Sequence, residues 1–102
     1  MNISYLQVGT SAQHNWDLLK KAHPSDLWFH VQNTSSAYVI LHRESITPTT
    51  VREAATLAKL HSKHKHYSRV KVIYCAVNNL KKGATVGEVI IKNQKCTKTL
   101  LV

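Results

Sequence analysis

The chain has 102 residues, 43% of them hydrophobic, with only three Gly and two Pro, which fits one folded domain over residues 1–102 and excludes a disordered tail. Fourteen Lys and Arg against five Asp and Glu give a formal net charge of +9 at pH 7, so nucleic acid is the first partner class to expect and an anionic membrane surface the second. No run approaches the roughly 18 apolar residues of a spanning helix, and the N-terminus lacks a signal-peptide pattern. We therefore expect a protein of the cytosol or nucleus without a membrane span, and favour a cytoplasmic location.

The first half of the chain predicts a strand, a helix and two more strands. Residues 3–8 predict the first strand, and residues 10–24 contain a helix that Thr10 or Ser11 caps. The two strands that follow cover residues 27–32 and 37–42, joined by the polar loop "NTSS".

The second half predicts one long helix and three strands. The helix lies within residues 44–66, with Thr47 or Thr49 as N-cap and Pro48 in its first turn. After it come a strand at 69–77, a loop at 78–87, and two closing strands at 88–93 and 97–102 that pair around a turn at 93–95. This order predicts an α+β domain with a single, mostly antiparallel sheet and two helices packed mainly on one face.

Basic residues concentrate in two segments of the second half. They are Lys63, Lys65, Arg69 and Lys71 around the predicted end of the long helix, and Lys81 and Lys82 in the predicted loop. On a continuous helix, positions 59, 63 and 66 share a face, and Gly83 and Gly87 let backbone amides approach an anion. Cations in such groups neutralise phosphates and supply affinity that falls with salt. The competing interpretations are a solvated helix end and an ordinary hairpin loop.

The stretch "DLWFHV" alternates between two faces of its predicted strand. Leu27, Phe29 and Val31 share one face, and Asp26, Trp28 and His30 share the other. We expect the first set in the core. We expect Trp28 to pack partly under the second helix, and Asp26 either to orient the His30 ring or to cap the start of the strand.

Two catalytic arrangements can be drawn from these residue types. Ser35 or Ser36 with His30 and Asp26 has the composition of a hydrolase triad, but no nucleophile elbow or oxyanion-hole signature accompanies it. An acid–base pair of His30 with Asp26, or with His42, would suit RNA as substrate. We favour binding over both.

Metal and disulfide chemistry are disfavoured. His61, His64 and His66 lack a further ligand at an established spacing, and the neighbouring lysines repel a cation, so we predict no metal and no other cofactor. Cys75 and Cys96 are too far apart in sequence for a redox or zinc motif, and we expect both to be reduced. The alternative is a disulfide, because both lie on predicted strands that could pair.

Three stretches in order, "DLWFHVQNTSSAYVIL", "TVREAATLAKLHSK" and "VKVIYCAVNNLKKGATVGEVII", resemble the NFACT-R domain of ribosome-associated quality-control factors of the NEMF and RqcH kind. The family pattern has Asp-x-Trp-x-His at a strand start, a small-residue turn, and a Lys-Lys segment with glycines after it. The matching positions are Asp26, Trp28, His30, Ser35, Ser36, Lys81, Lys82, Gly83 and Gly87. Upstream, Gly9, Asn15 and Leu18 fit as well, so the resemblance covers nearly the whole chain.

The resemblance implies a non-enzymatic RNA-binding module in translation or ribosome-associated quality control, with tRNA or ribosomal RNA as ligand and the ribosome or its associated proteins as partners. DNA would fit the same basic surface. We expect nucleic-acid contacts at Trp28, His30, Lys63, Lys65, Arg69, Lys71, Lys81 and Lys82. The alternatives are an RNA-processing or RNA-modification enzyme, or its subunit, with His30 and Asp26 as acid–base pair, and a scaffold that docks on a ribosome-associated protein. Because the chain lacks the other domains of the large members, we expect a free-standing module.

Overall fold

The structure is a computed structural model that describes residues 5–102. Within them, two α-helices and seven strands follow in the order β1 (Leu6–Val8), α1 (Ala12–Lys21), β2 (Leu27–Val31), β3 (Val39–Leu41), α2 (Pro48–Leu60), β4 (Lys71–Ala76), β5 (Leu80–Lys82), β6 (Val89–Ile91) and β7 (Lys98–Leu101). Residues 3 and 4 of the predicted first strand lie outside the described part. No helix within residues 5–102 has the length and apolar character needed to cross a membrane.

Five strands form the main sheet, in the order β1-β3-β2-β4-β7, and every neighbouring pair is antiparallel. The central strand β2 pairs with β3 on one side and with β4 on the other, so that Trp28 lies opposite Ile40 and Cys75. Strands β5 and β6 form a separate antiparallel hairpin. The α+β class and the mostly antiparallel sheet are therefore confirmed.

Helix α2 covers one face of the sheet. Its Ala54, Ala55 and Ala58 are fully buried against Phe29 and Val31 of β2. These small side chains let the helix backbone come close to the sheet. The space between helix and sheet is therefore narrow, and it is filled without large side chains from the helix. As predicted, Thr47 is the N-cap and Pro48 opens the first turn, and a capping box joins Thr47 to Thr50. Such a cap stabilises the fold by about 1 kcal/mol.

Helix α1 and the β5–β6 hairpin cover the opposite face. Leu18 of α1 packs there with Trp28, Tyr38 and Cys75, and Leu80 and Val89 of the hairpin close the cluster. The prediction that both helices lie mainly on one face is therefore wrong. Trp28 packs under the first helix, not under the second. The physical reason is that β2 is apolar on both faces, because adjacent strand residues point in opposite directions and both sides must be covered.

Helix α2 ends six residues earlier than its sequence predicts. His61 is already its C-cap, and the chain then turns so that Ser62 pairs with Ser36 of the loop after β2. The Ala37 N–H donates to the His61 carbonyl at 3.1 Å. Positions 63 and 66 consequently leave the helix, and they share no helical face with position 59.

The Lys-Lys segment is a strand and not a loop. Lys81 and Lys82 belong to β5 and lie opposite Ile90 and Val89 of β6. The predicted pairing of the last two strands is also wrong, because β7 pairs with β4 instead. Hydrogen bonds between the side chain of Asn79 and the backbone of Asn93, 2.9 and 3.1 Å long, hold the base of the β5–β6 hairpin.

Candidate nucleic-acid interface

A groove of about 870 Å³ lies between the first turn of α1, the loop after β2 and the turn after α2. We call it the lysine groove, because Lys63 and Lys65 line one wall of it. The turn that carries them is fixed by Ser62, whose hydroxyl donates to the Lys59 carbonyl at 2.7 Å and accepts from the His64 N–H at 3.1 Å. Both lysines are exposed. The fold thus holds two ammonium groups beside one concave surface.

A second groove, of about 570 Å³, continues from the first. We call it the His30 groove, because His30 lies in its floor together with Trp28, Tyr38 and Ile73. The β5–β6 hairpin forms its outer wall. The wall common to both grooves contains Ala12, Asn15, Ser35 and Ser36. Sequence reasoning missed Tyr38, although its alternation with Ile40 places it on the Trp28 face.

Three aromatic rings form the floor of the His30 groove. The rings of Trp28 and His30 are stacked, with centroids 5.7 Å apart, and the edge of Tyr38 meets them at 5.4 and 5.5 Å. Trp28 is 2% exposed, so its indole has no open face on which a base could stack. Its expected role as a direct RNA contact is not supported. His30 is only partly buried and reaches the groove.

The burial of these rings changes their acid–base behaviour. Burial lowers the pKa of His30, and a backbone hydrogen bond at Val31 offsets this only in part, so the imidazole is neutral at pH 7. Burial, with the negative charge of Glu88, raises the pKa of Tyr38 to about 12. The Tyr38 hydroxyl therefore keeps its proton, and it donates this proton to the Gly87 carbonyl of the hairpin.

Asp26 is a structural residue at the start of β2. Its carboxylate, 5% exposed as a residue, accepts from the His23 N–H at 2.9 Å and the Arg43 N–H at 2.8 Å, and the Arg43 guanidinium lies 3.7 Å away. It therefore caps the strand start, which was one of the two expected roles. His30 lies four positions further along the strand, about 13 Å away. The two side chains cannot form an acid–base pair in this arrangement.

The serines of the loop after β2 hold the loop rather than His30. The Ser36 hydroxyl accepts from the Val31 N–H at 3.0 Å and donates to the Ala37 carbonyl at 3.2 Å. Ser35 is exposed and lines both grooves. Among the side-chain hydrogen bonds of residues 5–102, none joins the His30 ring to a serine, an aspartate or a second histidine. A hydrolase triad is therefore not assembled.

The hairpin lies directly on α1. Gly87 has a φ of +86°, and a Cβ there would lie 2.8 Å from the Cβ of Ala12. The Trp16 indole N–H donates to the Glu88 carbonyl at 2.8 Å, and the Lys82 ammonium lies 4.8 Å from the centroid of the same indole. Gly83 donates its N–H to the Glu88 carbonyl at 2.8 Å. Both motif glycines therefore serve hairpin geometry and close packing.

The remaining predicted cations lie on the surface. Lys71 is exposed on the same face of β4 as Ile73, one strand repeat beyond the His30 groove. Arg69 is exposed in the turn before β4, with a φ of 59°. Lys81 is exposed on β5, close to Lys82. Both ion pairs found within residues 5–102 use Arg43, so these cations have no fixed carboxylate partner in that part of the chain.

No three His, Cys, Asp or Glu side chains within residues 5–102 lie close enough together to hold a metal ion. His61, His64 and His66 do not converge, and the His64 ring stacks instead on Tyr67 at 4.8 Å. Both cysteines are free thiols, Cys75 buried and Cys96 exposed.

Comparison with known proteins identifies the domain. A family model described as "NFACT protein RNA binding domain" matches residues 3–93. The chain belongs to this family. Coiled-coil domain-containing protein 25 of Bos taurus is 35% identical over 95% of this chain and 51% of its own length. The Rqc2 homolog RqcH of Bacillus subtilis is 32% identical over 85% of this chain and 16% of its own.

A solved structure shares the NFACT fold described above. It is the C-terminal part of the fibronectin/fibrinogen-binding protein from Streptococcus suis, with a TM-score of 0.85 and 28% identity over 95% of this chain and 39% of that chain. The chain spans about half the length of the coiled-coil proteins that it matches.

The NFACT motif of this chain is mostly architectural. Asp26 ties two loops together, Trp28 fills the core under α1, and Ser36 closes the loop after β2. His30 differs, because its ring is part of a groove surface. Most residues of the motif therefore stabilise the fold, and His30 contributes its imidazole to a groove surface.

Proposed function

We propose that this NFACT domain is a non-enzymatic RNA-binding module that holds its ligand chiefly by phosphate contacts in the lysine groove. The observation that carries the proposal is the placement of Lys63 and Lys65 on one wall of an open groove, without a carboxylate partner among the described residues. We further propose that it acts in the cytoplasm, in translation or ribosome-associated quality control, with tRNA or ribosomal RNA as ligand.

Electrostatics favours a polyanion at this surface. Each neutralised phosphate releases counterions, and the gain grows with the number of phosphates that reach cations. Lys71, on the same sheet face as the His30 groove, extends the basic surface beyond Lys63 and Lys65, and Lys81 and Lys82 add charge on the hairpin. DNA would meet the same cations, so selectivity for RNA has to come from shape and 2′-hydroxyl contacts.

A binding role fits the groove better than catalysis. The acid–base pair of His30 with Asp26 would need both side chains at one site, and Asp26 is committed to two backbone N–H groups at the far end of β2. The RqcH relationship supports a setting in ribosome quality control, and the family description supports RNA as ligand.

The test is salt-dependent binding of fluorescently labelled tRNA between 50 and 200 mM monovalent salt. We expect log affinity to fall linearly with log salt, and Lys63→Ala/Lys65→Ala to weaken binding and reduce the slope by about 2. Lys20→Ala/Lys21→Ala is the matched control, because it removes the same charge from the exposed last turn of α1, about 12 Å or more along the helix from its first turn. A flat salt dependence in the unmodified protein, or equal losses in the two variants, would contradict the proposal. Retention by ribosomes after nuclease digestion of their RNA would favour protein docking instead.

A further inference from the structure

We propose that the His30 groove receives one unpaired nucleobase of the bound RNA, while the adjoining phosphates occupy the lysine groove. The inference rests on the proposed function and narrows its ligand to RNA with an unstacked nucleotide, such as a loop, bulge or single-stranded end. Perfect duplex would then contact the cations alone.

The composition of the groove matches the two kinds of surface on a base. Its floor exposes Ile73 and the His30 ring, with Trp28 and Tyr38 buried behind them, and such an apolar floor suits the flat face of a ring system. Its rim is polar, from Asn15 and Thr34 among others, which suits the hydrogen-bonding edges. The volume of about 570 Å³ lies within the usual range of small-ligand sites, about 300–1,000 Å³.

His30 is prepared for contact with a neutral ligand. Its ring is held parallel to Trp28 and is met at its side by Tyr38, so its orientation is set before anything binds. A neutral imidazole carries one donor and one acceptor nitrogen, which matches the mixed edges of a base rather than a phosphate. Sequence-specific RNA recognition commonly uses splayed bases that contact aromatic or histidine rings in this way.

Charge fixes the direction in which a nucleotide would lie. Glu88 stands on the rim of the His30 groove and repels phosphate, whereas Lys63 and Lys65 attract phosphate in the lysine groove. The two grooves are adjacent, because Ala12, Asn15, Ser35 and Ser36 line both of them. The base therefore goes to the His30 end and the backbone to the lysine end.

The experiment compares a short single-stranded RNA with the same strand in a perfect duplex, at one salt concentration. The proteins are the unmodified chain, His30→Gln, Lys63→Ala/Lys65→Ala, and the control His66→Gln, in which an exposed histidine outside both grooves is changed. We expect His30→Gln to lose about tenfold in affinity for the single strand and less than twofold for the duplex. The lysine variant should lose affinity for both RNAs, and His66→Gln for neither.

A second measurement uses the unmodified protein and so does not depend on how the variants fold. The imidazole resonances of His30 are followed by NMR during titration with each RNA. We expect them to shift with the single strand and to stay in place with the duplex. If His30→Gln binds the single strand normally, or if duplex shifts the ring as much as the single strand does, the base pocket is overturned while phosphate binding stands. If neither RNA binds, both proposals fail together.

Discussion

The imidazole of His30 lies parallel to the indole of Trp28, with ring centroids 5.7 Å apart and 7° between the ring planes. The two residues are neighbours on one face of β2, because strand residues two apart point the same way. Their environments differ nonetheless. Trp28 is buried under α1, whereas His30 forms part of the groove floor next to it. One row of side chains therefore joins the core to the candidate ligand surface.

Trp28 should stabilise the fold by its volume and not by its polar atom. Its indole N–H has no hydrogen-bond partner within the described part of the chain. Trp28→Ala should therefore lower the free energy of unfolding by about 3–5 kcal/mol, and Trp28→Phe, which keeps a ring, by less than half of that. Urea denaturation measures both. A Trp28→Phe variant as unstable as the alanine variant would mean that the N–H does have an important partner.

The neutral state of His30 makes stability depend on pH. Burial lowers the pKa of His30 in the folded state below the ordinary histidine value of 6.5, so the unfolded chain binds the proton first as the pH falls. The free energy of unfolding should then decrease from about pH 6.5 downward and level off below the folded-state pKa. His30→Gln should remove that part of the decrease, and His66→Gln, at an exposed position, should not. Urea denaturation at several pH values between 7.5 and 4.5 would show whether the two curves differ as expected.

Asp26 should contribute more to the free energy of unfolding than its ion pair with Arg43 alone would. Asp26→Ala leaves the N–H groups of His23 and Arg43 without their acceptor, which costs about 1–3 kcal/mol for each group that stays buried. Arg43→Ala removes only a partly exposed guanidinium and should cost less than about 1 kcal/mol. Thermal or urea unfolding compares them. Equal losses in the two variants would place the stabilisation in the ion pair instead of the backbone hydrogen bonds.

Gly87 should be sensitive to the smallest added side chain. Gly87→Ala places a Cβ within van der Waals overlap of Ala12 and requires a φ that L-residues rarely adopt. We expect the β5–β6 hairpin to loosen from α1, with faster amide hydrogen exchange at the Gly83 N–H, which donates within the hairpin. Thr85→Ala, at an exposed position of the same loop, is the control. Unchanged exchange in the glycine variant would show that the close approach can relax at no cost.

Local patterns in the sequence predicted the elements but not all of their partners. The start of α2 was predicted correctly, because the cap, Pro48 and the alanine stripe are local signals. The end of α2 at Leu60 was not predicted correctly, because it depends on contacts with residues that are distant in sequence. The His61 carbonyl accepts from the Ala37 N–H, and Ser62 forms a bridge with Ser36.

The difference between local sequence signals and long-range contacts also explains the predictions for the β5–β6 hairpin and for the two grooves. Lys81 and Lys82 carry no strand pattern of their own, and pairing with β6 makes them a strand. The position of α1 opposite α2 was readable in principle, since Trp28 and Phe29 are adjacent and both large, which indicates a strand buried on both faces. The sequence does not predict that His30 lies in a groove next to the one lined by Lys63 and Lys65. That placement depends on the bridge between Ser36 and Ser62.

The scarcity of ion pairs has a consequence for the free domain. Both pairs found within residues 5–102 use Arg43, while the chain carries a net charge of +9. Folding brings these like charges closer together, and their mutual repulsion lowers the stability of the folded state. A polyanion bound to the folded form relieves that penalty and adds its own linkage term. The melting temperature of the domain should therefore report the fraction of protein that has a polyanion bound. It should rise when a polyanion binds and decrease again when added salt displaces the polyanion.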